Sequence, residues 1–469
     1  MLSMTLEHMV HAVDGQLYGE VTLPENMQIR GLFTDTRKPM HGGVFVALRG
    51  AHFDAHAFLG TAVESGARVL VVEQPLDGLL VAQIVVADTR IALGALAAAW
   101  CATWHAQGGK LVALTGSNGK TSTKEMLASI LRQVGSTLAT RGNLNNDIGV
   151  PLMLAELDAS HAFAVIEMGA NHAGEIAYLT ALARPDVALI TNTGRAHLQG
   201  FGGKQGVILA KGEIFGGLAE QGVAVINLDD EGASTWLRGL ERSVPDISMK
   251  GFSMKADVSA DIQGQWSEKT GVLRITRGQA ELAVPLQVVG EHNAHNALAA
   301  AAAAWALGIP AAAIQAGLEA FAGVAGRLQR KLGRAGCVLW DDTYNANPDS
   351  LQAGIRAVAV QGLETWLILG DMGELGEDAP TLHSEAGVLA KNLGVMRLWT
   401  VGTLASNAAA AFGEGAQAFA TQQDLLDAVL PALRADIHVL IKGSRSSRME
   451  NVVQALVQPM LKLGEDVAC

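Results

Sequence analysis

Residues 115–122, Thr-Gly-Ser-Asn-Gly-Lys-Thr-Ser, have the composition of a loop that binds phosphate. The apolar run 111–114 precedes them and a helical pattern follows, which predicts a buried strand, a turn and a helix. Backbone N–H groups at such a helix start face an anion, Lys120 can reach the outer phosphates of a nucleotide, and Thr121 can bind Mg²⁺. The loop is unusually short between its two glycines. A helix that merely begins with Gly-Lys-Thr is the alternative, but the order of elements favours a phosphate site.

Glu167, Asn192 and His197 each follow a run that reads as a strand of the same sheet. Parallel strands bring such residues to one edge of the sheet, where ligands bind. A carboxylate at Glu167 suits Mg²⁺, although an acid at a helix start explains it equally well. His197 could be a second metal ligand, but a polar loop histidine is the interpretation that the local sequence favours.

Lys211 follows the apolar residues 207–210 in a helical stretch, which predicts partial burial. Burial lowers the pKa of a lysine, and a neutral amine can react with CO₂ to form a carbamate, which is an oxygen ligand. The local sequence instead favours a lysine whose charged end reaches solvent along the helix.

Residues 292–296, His-Asn-Ala-His-Asn, open a predicted helix. Asn293 and Asn296 can cap that helix or contact the edge of an adenine, and capping is favoured locally. Three further polar turns, at 341–348, 370–374 and 442–445, follow strands of a second sheet. They predict a binding edge for an anionic or polar ligand.

The turns at 34–37 and 49–56 are also dense in polar donors. Ordinary capped turns are the favoured local interpretation.

With 469 residues, the chain is long enough for two to four domains with sizeable cores. Its net charge of −12 without a basic cluster argues against nucleic-acid binding. Three widely spaced cysteines indicate a reducing compartment with buried or inert thiols. We expect a cytoplasmic protein, because the start lacks a signal-peptide pattern and the alanine-rich stretch 297–314 is broken at 308–310 into two helices.

The alternation of strand and helix patterns predicts an α/β protein of three domains. Residues 1–88 form a small α/β domain. Residues 89–325 form a central domain of the phosphate-loop type, with a mainly parallel sheet, helices on both faces and a flanking antiparallel layer at 253–289. Residues 326–469 form a Rossmann-like doubly wound domain.

Together these motifs resemble the Mur ligase family, the ATP-dependent amide-bond ligases of bacterial cell-wall synthesis, over essentially the whole chain. The family has the same shortened phosphate loop. The resemblance implies that ATP is bound by Thr115, Gly116, Ser117, Asn118, Gly119, Lys120, Thr121, Ser122, Asn293, Asn296, Arg327 and Asp342. It implies two Mg²⁺ ions, held by Thr121, Glu167, His197 and a carbamate on Lys211. Catalytic roles are implied for Lys120, His197, Lys211 and Arg327.

The first-domain turns resemble the family's UDP-binding loops, although the expected Asp-Gly-His reads Asp-Ala-His at 54–56. The motifs at 344–348 and 369–375 are typical of the member that joins D-alanyl-D-alanine to a UDP-muramoyl-tripeptide through an acyl phosphate. The implied substrate residues are Thr34, Asp35, Thr36, Arg37, Arg49, Gly50, Asn145, Asn146, Tyr344, Asn345, Ala346 and Asn347. We expect a monomer with small-molecule partners and no membrane span.

Two other functions stay open at this point. A folylpolyglutamate-synthetase-like ligase shares the core and the modified lysine, but the UDP-type first domain and the Asn-Ala-Asn-Pro motif argue against it. A non-catalytic nucleotide-binding module is disfavoured because Lys120, Glu167, His197 and Lys211 are all present.

Overall fold

A computed structural model describes the chain except residues 20–22, 25, 195–197, 244–246 and 459–469. His197 and Cys469 therefore lie outside the described residues. No helix in the described ranges is both long enough and apolar enough to cross a membrane.

The N-terminal part is a small α/β unit around a twisted sheet of order β2-β9-β8-β5-β4. Its strands are β1 Ser3–Met4, β2 Gln16–Tyr18, β3 Ile29–Arg30, β4 Leu32–Phe33, β5 Val44–Val46, β6 Arg49–Gly50, β7 Phe53–Asp54, β8 Val69–Val72 and β9 Ala82–Val85, and its helices are α1 Leu6–Ala12 and α2 Leu59–Glu64. The pairs β4–β5, β5–β8 and β8–β9 are parallel, and β2 is antiparallel to β9.

The central part is built on a large sheet of order β11-β12-β10-β13-β14-β15-β16-β17-β18. Its strands are β10 Lys110–Thr115, β11 Thr137–Ala139, β12 Phe163–Glu167, β13 Val187–Ile190, β14 Val223–Asn227, β15 Ser248–Ser253, β16 Ile262–Ser267, β17 Val272–Arg277 and β18 Ala280–Pro285. Its helices are α3 Thr89–Ala106, α4 Lys120–Leu131, α5 Gly149–Ala155, α6 Glu175–Ala183, α7 Leu198–Phe201, α8 Lys204–Gly212, α9 Ala233–Ser243, α10 Glu291–Ala306 and α11 Ala311–Glu319.

Alternate residues of β10 face opposite cores, which is why helices cover both faces of the central sheet. Leu111 and Ala113 pack with α3, α5 and α6, whereas Val112 and Leu114 pack with α4, α10 and α11. The sequence predicts a flanking antiparallel layer, but the antiparallel strands β16, β17 and β18 do not form one. The strand β16 pairs in parallel with β15, so they extend the same sheet.

The C-terminal part contains a second sheet, of order β19-β20-β24-β21-β22-β23, parallel except for β19. Its strands are β19 Gln329–Leu332, β20 Val338–Asp342, β21 Glu364–Gly370, β22 Arg397–Val401, β23 Ala416–Phe419 and β24 Ile437–Lys442, and its helices are α12 Pro348–Ala359, α13 Ala379–Asn392, α14 Ala405–Phe412, α15 Gln422–Val429 and α16 Glu450–Leu456. This is the doubly wound unit that the sequence predicts.

The cores are not distributed equally between the three parts. Leu2, Met4 and Met9 share one continuous core with α3 and with the outer face of the central sheet. The two cores of the C-terminal sheet are built from residues 328 onwards, with Val289 packed at their margin. The strands fall within the three predicted domain ranges, and the boundaries themselves stay a prediction.

Candidate functional site

A cleft of about 1580 Å³ lies where the carboxyl edge of the central sheet faces the C-terminal sheet. It is lined by the phosphate loop, the ends of β12–β14, the start of α10 and the polar turns of the C-terminal sheet. Ser117 to Ser122 line the cleft, whereas Thr115 and Gly116 do not. The predicted ligand edges of both sheets therefore face one shared space.

The phosphate loop is held by the turn that follows β13. The Ser117 N–H donates to the Asn192 carbonyl at 2.9 Å, and the Asn118 N–H donates to Asn192 Oδ1 at 3.0 Å. The Asn118 carbonyl accepts from the Thr191 hydroxyl and from Asn192 Nδ2. A side chain is excluded at Gly116, because a Cβ there would lie 2.0 Å from Thr191 Oγ1. The order strand, turn and helix is that of a phosphate loop, as predicted.

Lys120 lies at the first turn of α4 with its ammonium folded over the loop. Its Nζ donates to the carbonyls of Gly116 at 2.7 Å and Ser117 at 3.3 Å. Burial lowers the pKa of Lys120, and the Glu167 carboxylate opposes that shift. An anion that enters the loop meets a cation already in position.

Thr121 and Glu167 form a pair of oxygen donors beside Lys120. Thr121 Oγ1 donates to Glu167 Oε2 at 3.1 Å, and Asn145 Nδ2 donates to Glu167 Oε1 at 2.9 Å. Glu167 is buried, and helix α6 begins only at Glu175, so Glu167 is not an acid at a helix start. Asn146 also lines the cleft, and its Oδ1 accepts from the Gly149 N–H.

A carboxylate and a hydroxyl in contact at a helix start suit Mg²⁺, which prefers oxygen ligands and keeps several waters. The described residues contain no group of three or more His, Cys, Asp or Glu side chains that could bind a metal by themselves. Thr121 and Glu167 are the residues that would hold a magnesium ion beside the phosphate loop, where the ion would offset the charge of bound phosphates.

Arg327 brings a second cation into the cleft from the segment after α11. Its Nη2 donates to Thr121 Oγ1 at 3.1 Å, and its guanidinium lies 4.1 Å from the centre of the Tyr344 ring. Its Nε is buried without a hydrogen-bond partner, which leaves one donor for a ligand.

The three polar turns of the C-terminal sheet meet as the sequence predicts. Lys442 Nζ, which is fully buried, binds Asp342 Oδ2 and donates to the Asn345 carbonyl at 3.0 Å. Asp342 Oδ1 accepts from the Leu328 N–H at 3.1 Å. Ser444 Oγ donates to the Ala346 carbonyl and accepts from the Gly373 N–H. Asp342 therefore ties the segment before β19 to Lys442, while it also lines the cleft, and its contact with a nucleotide stays a prediction.

Asn347 ends that turn and caps α12, whose first residue is Pro348. Its Oδ1 accepts from the Ser350 N–H at 2.9 Å, and its Nδ2 donates to Asn118 Oδ1 at 2.9 Å. Asn345 Oδ1 accepts from the next N–H, that of Ala346.

Asn293 and Asn296 do not cap α10, so the capping interpretation is wrong. The cap is Gly290, which makes no side-chain hydrogen bond. Asn293 Nδ2 donates to the Val289 carbonyl, and Asn296 Oδ1 accepts from Thr123 Oγ1 at 3.3 Å. Both amides instead line the cleft beside the phosphate loop.

Lys211 lies on α8 and lines the same cleft with only 2% of its surface exposed. It does not extend to the outer solvent, so the interpretation as a solvent-reaching lysine is wrong. Its Nζ lies 5.2 Å from the centre of the Phe201 ring and has no hydrogen-bond partner among the described residues. Burial first, and then the charge of Lys120, lower its pKa to about 7.

The first-domain residues predicted to bind substrate lie elsewhere. Thr34, Asp35, Thr36 and Arg37 line neither this cleft nor a smaller one of about 350 Å³ that Arg49, Gly50 and Arg90 line. Arg37 hydrogen-bonds Asp35 and lowers the pKa of that carboxyl to about 2. Asp54 caps the short 3₁₀ turn after it by accepting from the His56 N–H. The capped-turn interpretation is confirmed, and substrate binding by these residues stays a prediction.

The described cysteines agree with the thiol prediction. Cys101 and Cys337 are free and buried, and burial raises the pKa of the Cys101 thiol to about 12.

A phosphate loop, an acid–hydroxyl pair and an arginine supplied from a second domain define a nucleotide-dependent α/β enzyme. Two family models match the chain, the Mur ligase middle domain over residues 114–304 and the Mur ligase, glutamate ligase domain over residues 326–445. The UDP-N-acetylmuramoyl-tripeptide–D-alanyl-D-alanine ligase of Escherichia coli (strain K12) is 42% identical, over 97% of this chain and 99% of that protein. The chain belongs to the Mur ligase family, as its motifs predict.

Solved structures agree with this assignment. A crystal structure of MurF from Acinetobacter baumannii superposes with a TM-score of 0.88 at 37% identity, covering 96% of this chain and 98% of that one. MurF ligase from Thermotoga maritima, crystallised in complex with ADP, gives a TM-score of 0.79 at 26% identity, covering 91% and 97%. Folylpolyglutamate synthase of Mycobacterium tuberculosis, at 18% identity and a TM-score of 0.62, shares the fold alone.

Local sequence patterns missed three contacts around the cleft. Lys124, which is buried, donates to the Thr140 carbonyl, and Arg90 pairs with Asp147 at 3.0 Å. The third is the contact of Asn118 with Asn347. Each joins residues far apart in the chain, so periodicity and local motifs contain no signal for it.

Proposed function

We propose that the chain is an ATP-dependent ligase that joins D-alanyl-D-alanine to UDP-N-acetylmuramoyl-tripeptide. The observation that carries the proposal is the shared cleft, in which the phosphate loop faces the turn 342–347 of the C-terminal sheet. The relatives that match this chain nearly end to end are ligases named for that reaction.

The first step transfers a phosphoryl group. The terminal carboxylate of the tripeptide attacks the γ-phosphorus of ATP, the bond from that phosphorus to its bridging oxygen breaks, and ADP leaves. Lys120 lies over the phosphate loop and Arg327 contacts Thr121, so both cations can neutralise negative charge on the transferred group.

The second step forms the amide. The amine of D-alanyl-D-alanine attacks the acyl carbon, inorganic phosphate leaves and the amine loses a proton. Water would hydrolyse the acyl phosphate, so a cleft closed by the C-terminal domain protects it. Residues 344–346 line the cleft opposite the phosphate loop and are the candidate surface for the dipeptide.

Magnesium, when bound, would stabilise the negative charge that develops on the phosphate oxygens. Thr121 and Glu167 would hold one ion, and a carbamate on Lys211 would supply oxygen ligands for a second, together with His197. What supports the carbamate is the burial of Lys211, its lowered pKa and the absence of a hydrogen-bond partner among the described residues. The amine lone pair would bond to the carbon of CO₂, one C=O electron pair would move to oxygen, and a proton would leave to water.

We also place the reaction in the cytoplasm, which the two free, buried cysteines favour. The monomeric state stays a prediction that light scattering in solution would check.

Turnover assays test the proposed function. The full chain should release ADP with UDP-muramoyl-tripeptide and D-alanyl-D-alanine, and not with a folate and glutamate. Folate turnover would identify the rival ligase, and nucleotide binding without turnover of either substrate would identify a binding module.

A further inference from the structure

Both polar atoms of the Asn347 side chain already make a hydrogen bond within the protein. Its carbonyl oxygen Oδ1 accepts from the Ser350 N–H and caps α12, and its Nδ2 donates to Asn118. The cap fixes which end of the amide faces the phosphate loop, because only Oδ1 can accept from Ser350. Asn118 must therefore present its own oxygen.

Asn118 is a residue whose backbone shapes the phosphate loop. Its N–H and carbonyl are both hydrogen-bonded to the turn after β13, through Thr191 and Asn192. Its side-chain oxygen receives the remaining contact, which comes from a different domain. The central sheet thus holds the backbone of Asn118, and the C-terminal domain holds its side chain.

A second contact from the C-terminal side reaches the other end of the same loop. Arg327 Nη2 donates to Thr121 Oγ1, in the first turn of α4. Asn347 and Arg327 therefore hold both ends of the loop between Asn118 and Thr121. Donors that are already oriented do not have to be reorganised when the phosphates bind.

We propose that Asn347 is a positioning residue for the phosphate loop, acting through Asn118, and that its side chain does not select the dipeptide. The inference concerns ATP binding, so it can be tested even if the substrates of the proposed ligase reaction are wrong. It replaces the prediction that Asn347 is a dipeptide contact. It also gives a role to the contact between Asn347, which caps α12, and Asn118 in the phosphate loop of the central domain.

The decisive variant is Asn347→Ser, which separates the two contacts. A serine hydroxyl still caps α12, because serine is as good an N-cap as asparagine, but it is too short to reach Asn118. The loss of one neutral hydrogen bond is expected to raise KM for ATP by about 3- to 10-fold. KM for D-alanyl-D-alanine should stay within about twofold of the wild-type value, since no dipeptide contact is lost.

Asn118→Ala and the double variant complete the test. Asn118→Ala removes the acceptor and keeps the backbone hydrogen bonds, so it should weaken ATP binding to a similar extent. Adding Asn347→Ser to Asn118→Ala should then cause little further loss, because the two side chains act as one pair. Thermal unfolding of each variant checks that the fold is retained.

Direct binding of a fluorescent ATP analogue to the full chain, without either acceptor substrate, gives a second readout. Weaker binding in Asn347→Ser and Asn118→Ala, with non-additivity in the double variant, supports the inference. Additive losses, unchanged ATP binding, or a rise confined to KM for the dipeptide would overturn it. Should Asn347→Ser fail to fold, Asn347→Asp takes its place, because aspartate also caps α12 but has no donor for Asn118 Oδ1. Failure of the proposed ligase reaction would show in wild-type turnover and would leave this binding comparison intact.

Discussion

Two lysines of the central domain are almost equally buried, yet their surroundings differ. Lys124 on α4 is 1% exposed, and Lys211 on α8 is 2% exposed. Lys124 Nζ donates to the Thr140 carbonyl at 2.5 Å and lies 3.0 Å from Glu125 Oε1. Lys211 Nζ faces the Phe201 ring and has no hydrogen-bond partner among the described residues.

The difference shows what decides the chemistry of a buried amine. A hydrogen-bonded and ion-paired ammonium is a structural cation, and Lys124 ties the end of β11 to α4 behind Glu167. An ammonium without partners loses its proton easily, because burial penalises only the charged form. Lys211 therefore has the properties of a nucleophile, although the two residues are alike in type and burial.

The largest expected effect is the loss of activity in Lys211→Ala. If the carbamate supplies metal ligands, ligase activity should fall by about 100-fold or more. Small carboxylates such as acetate should partly restore it by filling the ligand gap. Lys211→Arg is the matched control, since it keeps a cation but cannot form a carbamate, and it should stay inactive with acetate. ADP release measures each case, and a fully active Lys211→Ala enzyme would refute the carbamate.

A several-fold effect is expected from CO₂ and pH. The pKa of Lys211 lies at about 7, so the neutral, reactive amine increases as pH rises through that value. At constant CO₂ pressure, activity should rise between about pH 6 and 8 and fall reversibly when CO₂ is removed. Labelled CO₂ that is trapped on the wild-type chain and not on Lys211→Arg would locate the adduct. Equal labelling of both would place it elsewhere.

Replacing each lysine by methionine should change the free energy of unfolding differently at the two positions. Lys124→Met leaves the Thr140 carbonyl without its donor, so the free energy of unfolding should fall by about 1–3 kcal/mol. Lys211→Met removes an amine that has no hydrogen-bond partner among the described residues and should be neutral or slightly stabilising. Urea unfolding in CO₂-free buffer measures both, and a similar loss in the two variants would remove the distinction.

That stability comparison should also depend on pH. The pKa of Lys211 is lowered on folding, from its usual value of 10.5 to about 7, so the unfolded chain holds more protons between those values. The wild-type free energy of unfolding should therefore rise with pH across this window relative to Lys211→Met. No difference in slope between the two proteins would mean that Lys211 stays charged in the folded chain.

The smallest expected effect is that of Glu125→Gln. The Glu125 side chain is about one-third exposed, so its ion pair with Lys124 is screened by solvent. We expect a change of at most about 0.5 kcal/mol in the free energy of unfolding. A larger loss, as measured by urea unfolding, would mean that Glu125, and not the Thr140 carbonyl, is the main partner of Lys124.

Much of the fold was predictable from local patterns. The strand β10 and helix α4 follow from an apolar run and a helical pattern, and the break between α10 and α11 lies at 308–310 as the sequence predicts. The short strands β11, β19 and β23 were missed because each is brief and partly polar. The strand β15 lies before the predicted antiparallel region and was also missed, because its pairing with β14 is set by tertiary packing.

The site was less predictable, because its contacts join distant residues. Glu167 was identified by its place after a strand, but only the fold shows that Thr121 and Asn145 contact its two oxygens. Lys211 is buried, so the interpretation as a solvent-reaching lysine was wrong. Asn293 and Asn296 lie inside α10, so the capping interpretation was wrong as well. The contact of Asn118 with Asn347 spans 229 positions and has no counterpart in any local pattern.

The way in which the three parts share hydrophobic cores predicts the order in which they unfold. One face of the N-terminal sheet shares a continuous core with α3 and the central sheet, and its other face has a small core of its own, whereas both cores of the C-terminal sheet are separate from that shared core. Heating should therefore melt the first two parts together and the last part as a separate cooperative unit. A protease that cuts between α11 and β19 should release an intact C-terminal fragment, which makes this segment the natural place to exchange that domain between relatives.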